Sequence, residues 1–326
     1  VDEAAILRVL RVPPEAAGMR LDVFVQGQLR NTSRTRARAI VQNSAYRPDG
    51  SRLRPNDRVR AEDRVVLWRP PFEHDVPQIE LCSLYEDQHL LVIDKPPLVT
   101  VHPTARYHHD TLIKRLETER PGQFLSLVHR LDRETSGILL VARSPTAERG
   151  FKRLLEDRSV AVAARAPSAQ LPAVEKTYLC ITQGVPASGL IDAPLELDAD
   201  SPLRVKMRVA PVGRGLRAQT GVTVIERRGG YALLSCQLYT GRQHQIRVHL
   251  ASVGCPVVGD KLYGPDEALL ARAADGTLSE ADRARLQLPR HALHAHRYVM
   301  LHPMTGDRLE LESPLPDDLR AFWDSR

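Results

Sequence analysis

His129-Arg130-Leu131-Asp132-Arg133-Glu134-Thr135-Ser136-Gly137 runs directly into Ile138-Leu139-Leu140-Val141-Ala142. Five consecutive apolar residues after a Thr-Ser-Gly stretch read as a buried strand. A carboxylate, Asp132, stands between two arginines at the mouth of that strand. Cations beside it would hold its pKa down and keep it ionised. An ionised, fixed carboxylate can serve as nucleophile, base or metal ligand. The same residues also describe a structural ion pair in a turn, because ion-pair networks perturb pKa values as well. The chemistry of the segment alone leaves both readings open.

Taken whole, the run H-R-L-D-R-x-T-S-G-x-L-L-x-A resembles the catalytic signature of the RluA-type pseudouridine synthases, with Asp132 in the place of their catalytic aspartate. Three further segments are similar to that family, in the same order. They are Leu84-Tyr85-Glu86-Asp87 through Asp94-Lys95-Pro96, Glu175-Lys176-Thr177-Tyr178-Leu179, and Thr240-Gly241-Arg242-Gln243-His244-Gln245-Ile246-Arg247-Val248-His249-Leu250. The resemblance spans residues 80 to 318. It implies an α+β catalytic domain with a largely antiparallel mixed sheet, acting on uridines in RNA without cofactor or metal.

The resemblance also assigns roles. Asp132 would stabilise or trap the positive charge that develops at C1′ when a glycosidic bond breaks. Arg247 matches the basic residue that pairs with the catalytic aspartate; it would fix the rotamer and keep the carboxylate ionised. Splitting such a buried pair typically costs about 3–5 kcal/mol. The alternative for Arg247 is an arginine snorkelling from a strand. Tyr178 matches the active-site tyrosine, whose ring can stack on uracil and whose hydroxyl can give or accept a proton. The alternative is a core tyrosine with a satisfied hydroxyl. A uracil within folded RNA must be flipped out to reach Asp132. Arg130, with His129 beside it, is the candidate to fill the vacated stack; a phosphate contact is the competing role.

The N-terminal region carries the charge. Residues 1–70 hold 14 arginines, no lysine and eight acidic residues, an excess of six that equals the net charge of +6 for all 326 residues. Leu21, Phe24, Val25 and Leu29 recur at helical spacing. Ser33 is placed to cap a second helix from Arg34 to about Gln42. On it Arg34 and Arg38 share a face, Arg36 borders that face, and Ala37, Ile40 and Val41 turn inward. Such a helix start suits phosphate, although a solvated charged face has the same pattern. G-x-R-L-D-x-F-V, S-R-T-R-A-R-A-I-V and the strand Arg64-Val65-Val66-Leu67 resemble the S4 RNA-binding domain of the α-L type. Pro48, in Ala45-Tyr46-Arg47-Pro48-Asp49-Gly50, departs from that pattern by interrupting a strand.

The expected order is therefore an N-terminal extension (1–16), an S4-like domain (17–70), a proline-rich linker (71–79) and the catalytic domain (80–326). Two segments of the catalytic domain look inserted, 161–173 and 267–287. Strands are expected at Leu90–Ile93, 138–142, 219–226, 231–239 and 292–301, and a helix from Thr146 to Asp157. The four cysteines are widely spaced without a C-x-x-C pair, as expected of reduced thiols in a cytoplasmic protein. No stretch reaches the 18–20 apolar residues of a membrane span. The chain is expected to act as a monomer.

His291-x-x-His294-x-His296 has the density of a metal site, but it is not the H-E-x-x-H pattern and no cysteine lies close. Three functions compete: a pseudouridine synthase, a non-catalytic RNA-binding ribosome-assembly protein, and a hydrolase of N-glycosides or one using a histidine-bound metal. Together Asp132, Tyr178 and Arg247 favour the synthase. By analogy with relatives that carry an S4 domain, 23S rRNA is the expected substrate and tRNA the alternative.

Overall fold

The computed structural model describes residues 6–29, 34–69, 80–102, 111–163, 174–203, 205–274 and 276–326, which fall into two units, 6–69 and 80–326. The expected linker 71–79 lies outside the described residues.

The smaller unit comprises β1 (Ile6–Arg11), α1 (Leu21–Gln28), α2 (Arg34–Ser44), β2 (Ala45–Tyr46) and β3 (Arg64–Arg69). Its antiparallel sheet has the order β1-β3-β2. The apolar stripes of the two helices meet as the spacing predicts: Leu21, Phe24 and Val25 from α1 and Ala37 and Val41 from α2 are buried. Arg34 and Arg38 remain on the exposed side of α2. Ser33 lies outside the described residues, and of Arg36 only the backbone is described. β2 stops after two residues, and Arg47 to Ser51 then close a turn. Pro48 has no N–H with which to continue a ladder.

Residues 6–16 are not an extension to this unit. β1 pairs with β3 along its whole length, from Ile6 opposite Arg69 to Arg11 opposite Arg64. Leu10 and Val12 are buried in the same core as α1 and α2. The arginines that break the apolar pattern of Ile6–Arg11, Arg8 and Arg11, are exposed on an edge strand, where charge is tolerated.

The larger unit runs β4 (Cys82–Glu86), β5 (Leu90–Lys95), α3 (Leu112–Glu119), β6 (Ser126–Leu127), β7 (Ser136–Ala142), α4 (Pro145–Ala163), β8 (Val174–Gln183), β9 (Gly189–Asp192), β10 (Leu195–Leu197), β11 (Met207–Val209), β12 (Gln219–Arg228), β13 (Tyr231–Leu238), α5 (Gln245–Ser252), α6 (Ala268–Ala274), α7 (Glu280–Leu286), β14 (Leu293–Leu301), β15 (Arg308–Glu312) and α8 (Asp317–Asp324). The main sheet has the order β4-β5-β7-β14-β8-β13-β12-β9, with β15 on β14 and β6 on β7. β7 and β14 run parallel; the other described pairings are antiparallel. The expected α+β class and mixed, largely antiparallel sheet are those observed.

α4 is longer than expected. Pro145 suits a first turn and the alanines from 161 favour continuation, so the helix extends to Ala163. Residues 164–173, most of the first inserted segment, lie outside the described residues. The second contains α6 and α7, the latter started by a Ser279–Asp282 capping box.

β7 is buried at every position. Its second residue, Gly137, has φ +103°, and a Cβ there would lie 2.2 Å from the carbonyl oxygen of Ala295 on β14. Only glycine allows both the conformation and the approach. Gly137→Ala is expected to lower stability by roughly 2 kcal/mol or more. Activity should fall further than stability, because the strand end that carries Asp132 must move. Thermal unfolding measured beside turnover checks both.

Candidate active site

The loop from 129 to 135 enters β7 under several restraints. Lys95, fully buried at the end of β5, donates to the carbonyls of Pro96 (2.7 Å), Val99 (3.0 Å) and Arg133 (3.1 Å). Burial lowers its pKa to about 7. Glu134 accepts from Lys261 Nζ at 2.7 Å and from the His291 N–H at 3.1 Å. The Thr135 and Ser136 hydroxyls lie 2.7 Å from His291 Nε2 and 3.0 Å from His294 Nδ1. The Thr135 N–H donates to the Asp132 carbonyl at 3.1 Å and closes the turn. Asp132 is thus held by its neighbours on both sides.

Arg247 reaches it from α5. The helix begins after His244, whose backbone is left-handed at φ 57°. The Arg247 guanidinium donates from Nη1 to Asp132 Oδ2 at 2.7 Å. From Nε and Nη2 it donates to the two oxygens of Asp260, at 2.7 and 2.9 Å. Asp260 is buried and also accepts the N–H groups of Leu262 and Tyr263. The Asp132 side chain is 32% exposed, against 8% for Arg247, so Asp132 is the accessible end of this chain of charges.

Burial opposes ionisation of Asp132, but the positive charge of Arg247 outweighs it and holds the carboxyl below its ordinary range. Burial likewise opposes ionisation of Asp260, and Arg247 again prevails, taking Asp260 far below the carboxylate range. Burial would lower Arg247, yet the two carboxylates raise it. All three groups are therefore charged at neutral pH. One guanidinium orients a reactive carboxylate with one edge and is itself anchored by the other.

A cavity of about 80 Å³ opens over Asp132. Its walls include Arg130, Tyr178, Leu238, His244, Ile246, Arg247 and Leu293. Tyr178 comes from β8, and its hydroxyl lies 2.7 Å from that of Tyr298. Burial chiefly raises the Tyr178 pKa to about 12, so the phenol keeps its proton at neutral pH. Arg130 is exposed at the rim, with Nη1 3.1 Å from His102 Nε2. A larger groove, about 810 Å³, includes Thr177 and Gln237. Alternation along β8 and β13 puts those residues on the face opposite Tyr178 and Leu238, away from Asp132.

The structure thus brings Asp132, Tyr178, Arg247 and Arg130 together and separates His129 from them. His129 Nε2 accepts the Leu140 N–H at 3.2 Å, and its ring packs against Tyr298. Burial holds its pKa down to about 3. Val128 already pairs with Leu140, so the next side chain is committed to the end of β7 and supports the wall rather than the rim. The three histidines from 291 to 296 serve different partners: His291 meets Thr135, while His294 and His296 both meet the Ser313 carbonyl. Among the described residues no group of three His, Cys, Asp or Glu side chains is placed to hold a metal ion.

Asp260 and Tyr263 also contact this group of residues, and the motifs do not announce them. Gly259 precedes Asp260 at φ +77°, and a Cβ there would lie 2.0 Å from the Arg290 carbonyl oxygen. A Gly-Asp pair at such a close approach places the carboxylate under Arg247.

Comparison with known proteins places the chain in a family. Residues 89–252, which include Asp132, Tyr178 and Arg247, match the family model described as RNA pseudouridylate synthase. The ribosomal large subunit pseudouridine synthase D of Nitrosomonas europaea is 35% identical, covering 96% of this chain and 86% of that one. The protein of the same name from Pseudomonas aeruginosa is 36% identical over 96% of this chain and 93% of its own. The solved structure of human RNA pseudouridylate synthase domain containing 4 is similar with a TM-score of 0.53 and 27% identity, covering 73% of this chain and 90% of that one. Agreement of this extent, over the region that holds the paired carboxylate and over nearly the whole chain, shows that the protein belongs to the RNA pseudouridylate synthase family.

Proposed function

We propose that the protein isomerises specific uridines of 23S rRNA to pseudouridine, with Asp132 as the nucleophile. The observation that carries this is an ionised carboxylate, open to a cavity and held by a buried arginine. The C1′–N1 bond breaks with its electron pair passing to the uracil, and Asp132 stabilises or traps the charge left at C1′. The base turns within the cavity and C5 bonds to C1′. The C5 hydrogen leaves as a proton and N1 takes one up, so no redox partner is required. Tyr178 stacks on the uracil, and Arg130 at the rim takes the place of the flipped base. The relatives named as large-subunit enzymes support 23S rRNA as the target. An rRNA substrate and four free cysteines agree with a cytoplasmic protein, and no described helix is long and apolar enough to cross a membrane.

Tritium release from RNA carrying 5-³H-uridine tests the reaction. Release from 23S rRNA fragments, and none from tRNA, is expected. Release from tRNA alone would move the substrate. Release from neither would overturn the reading in favour of a ribosome-assembly protein.

The smaller unit, similar in sequence to S4 domains, is the docking surface in this reading. Arg34 is 60% exposed, with Nε 3.8 Å from Asp22, and Arg38 lies one turn further on the exposed face. Replacing both by alanine is expected to weaken RNA binding and to reduce the slope of log K against log salt by roughly 1.5–2. Filter binding across a salt series measures it; an unchanged slope would place docking elsewhere.

A further inference from the structure

We propose that His244 is a further catalytic residue of this site, donating an N–H to the uracil while it is detached from the ribose, and that Tyr263 is the positioning residue that fixes which ring nitrogen carries the hydrogen. The proposal rests on the reading of the site as that of a pseudouridine synthase.

His244 stands in the wall of the Asp132 cavity. Its Nδ1 lies 2.8 Å from the Tyr263 hydroxyl. That oxygen already accepts the Met207 N–H at 2.9 Å. Among the described residues the Tyr263 hydroxyl has no other acceptor within hydrogen-bond reach, so its hydrogen is assigned to His244 Nδ1, and a neutral imidazole that accepts at Nδ1 carries its hydrogen at Nε2. Burial favours the neutral form of both rings, lowering His244 and raising Tyr263. Tyr263 is itself held, because its ring lies against the Arg247 guanidinium, 5.0 Å from centroid to carbon.

Nε2 lies 3.7 Å from Asp132 Oδ1, too far for a direct hydrogen bond. It makes no hydrogen bond to the other described residues. Three polar side chains beside it are committed: Gln245 to Gln219, Thr220, Thr240 and Arg242, Arg247 to two carboxylates, and Tyr178 to Tyr298. His244 thus presents a hydrogen beside the nucleophile, free for the molecule that enters the cavity. When the C1′–N1 bond breaks, the electron pair spreads over N1, O2 and O4 of the uracil. A fixed donor aimed where such charge develops stabilises the transition state more than the bound substrate.

The test compares single-turnover rates of loss of the N1-linked nucleoside from one RNA carrying uridine or 5-fluorouridine at the target, read by nucleoside mass spectrometry. The fluorinated base has no C5 hydrogen to expel, so its product is counted as the C5-linked adduct rather than as pseudouridine. Fluorine makes the uracil a better leaving group, less dependent on a donor. His244→Ala is expected to slow uridine turnover by about 100-fold, to slow 5-fluorouridine turnover by about 10-fold or less, and to leave RNA affinity nearly unchanged. His244→Gln, which can return an N–H to the same region, is expected to recover part of the rate. Tyr263→Phe keeps the ring on Arg247 and removes only the hydroxyl, so it carries the same comparison if His244→Ala does not fold. Equal deficits on the two substrates, or a deficit confined to affinity, would overturn the proposal. If Asp132→Ala stayed active, the reading of the site itself would fail; if it were inactive while His244→Ala matched the wild type, the His244 role alone would fail.

Discussion

Asp132→Ala is expected to abolish tritium release, by roughly 10⁴-fold or more, with RNA affinity within about threefold of the wild type. The carboxylate acts on a charge that exists only as the glycosidic bond opens, so its loss falls on the rate. The fold should tolerate the change, because Arg247 keeps both hydrogen bonds to Asp260 when Asp132 is gone. Arg247 also holds the Asp132 carboxyl below its ordinary range. Activity that depends on the ionised form should persist as pH falls through the usual carboxylate range and disappear only below it. A variant retaining more than a trace of turnover would remove Asp132 from the reaction.

Asp260→Ala is expected to behave in the opposite way, with the larger cost in stability. It leaves a buried guanidinium with one partner instead of two, and breaking a buried pair costs roughly 3–5 kcal/mol. It also removes the acceptor of the Leu262 and Tyr263 N–H groups. The pH dependence follows from the sign of the shift. A carboxyl ionising far below its unfolded value contributes stability that is present above the ordinary carboxylate range and is lost as pH falls toward the folded value. Urea titrations from neutral to acid pH should show that loss in the wild type and a shallower one in the variant. Wild-type stability for Asp260→Ala would mean that Arg247 needs no second anchor.

The two variants mark how far the motifs reach. Asp132, Tyr178 and Arg247 were legible because each sits in a stretch whose residue types repeat a family pattern. Asp260 was not, since its meaning depends on a loop returning beneath α5. The strand considered as the alternative setting of Arg247 is instead the helix α5. Gln245 to Leu250 are all buried, and a helix enclosed on every side leaves no apolar stripe to read. β1 was obscured for a related reason: its arginines hide an edge strand within what looked like a charged extension. His129 was placed with Arg130 by adjacency in sequence, yet neighbouring side chains beside a strand take different environments. β12, β13 and β14, with clearer patterns, fell where their residues indicated.

The parallel contact between β7 and β14 sets an order of events during synthesis. β14 lies between β7 and β8 in the sheet, yet it is made more than a hundred residues after either. Until it inserts, β8 is an open edge, and β7 is open at Ser136 and Gly137, where β6 does not cover it; both are exposed to pairing with other chains. The partners that His291 and His294 supply to Thr135 and Ser136 are missing for the same interval. A chain still emerging from the ribosome therefore carries Asp132 without the scaffold that aims it, and competence arrives late, with the closing of the sheet.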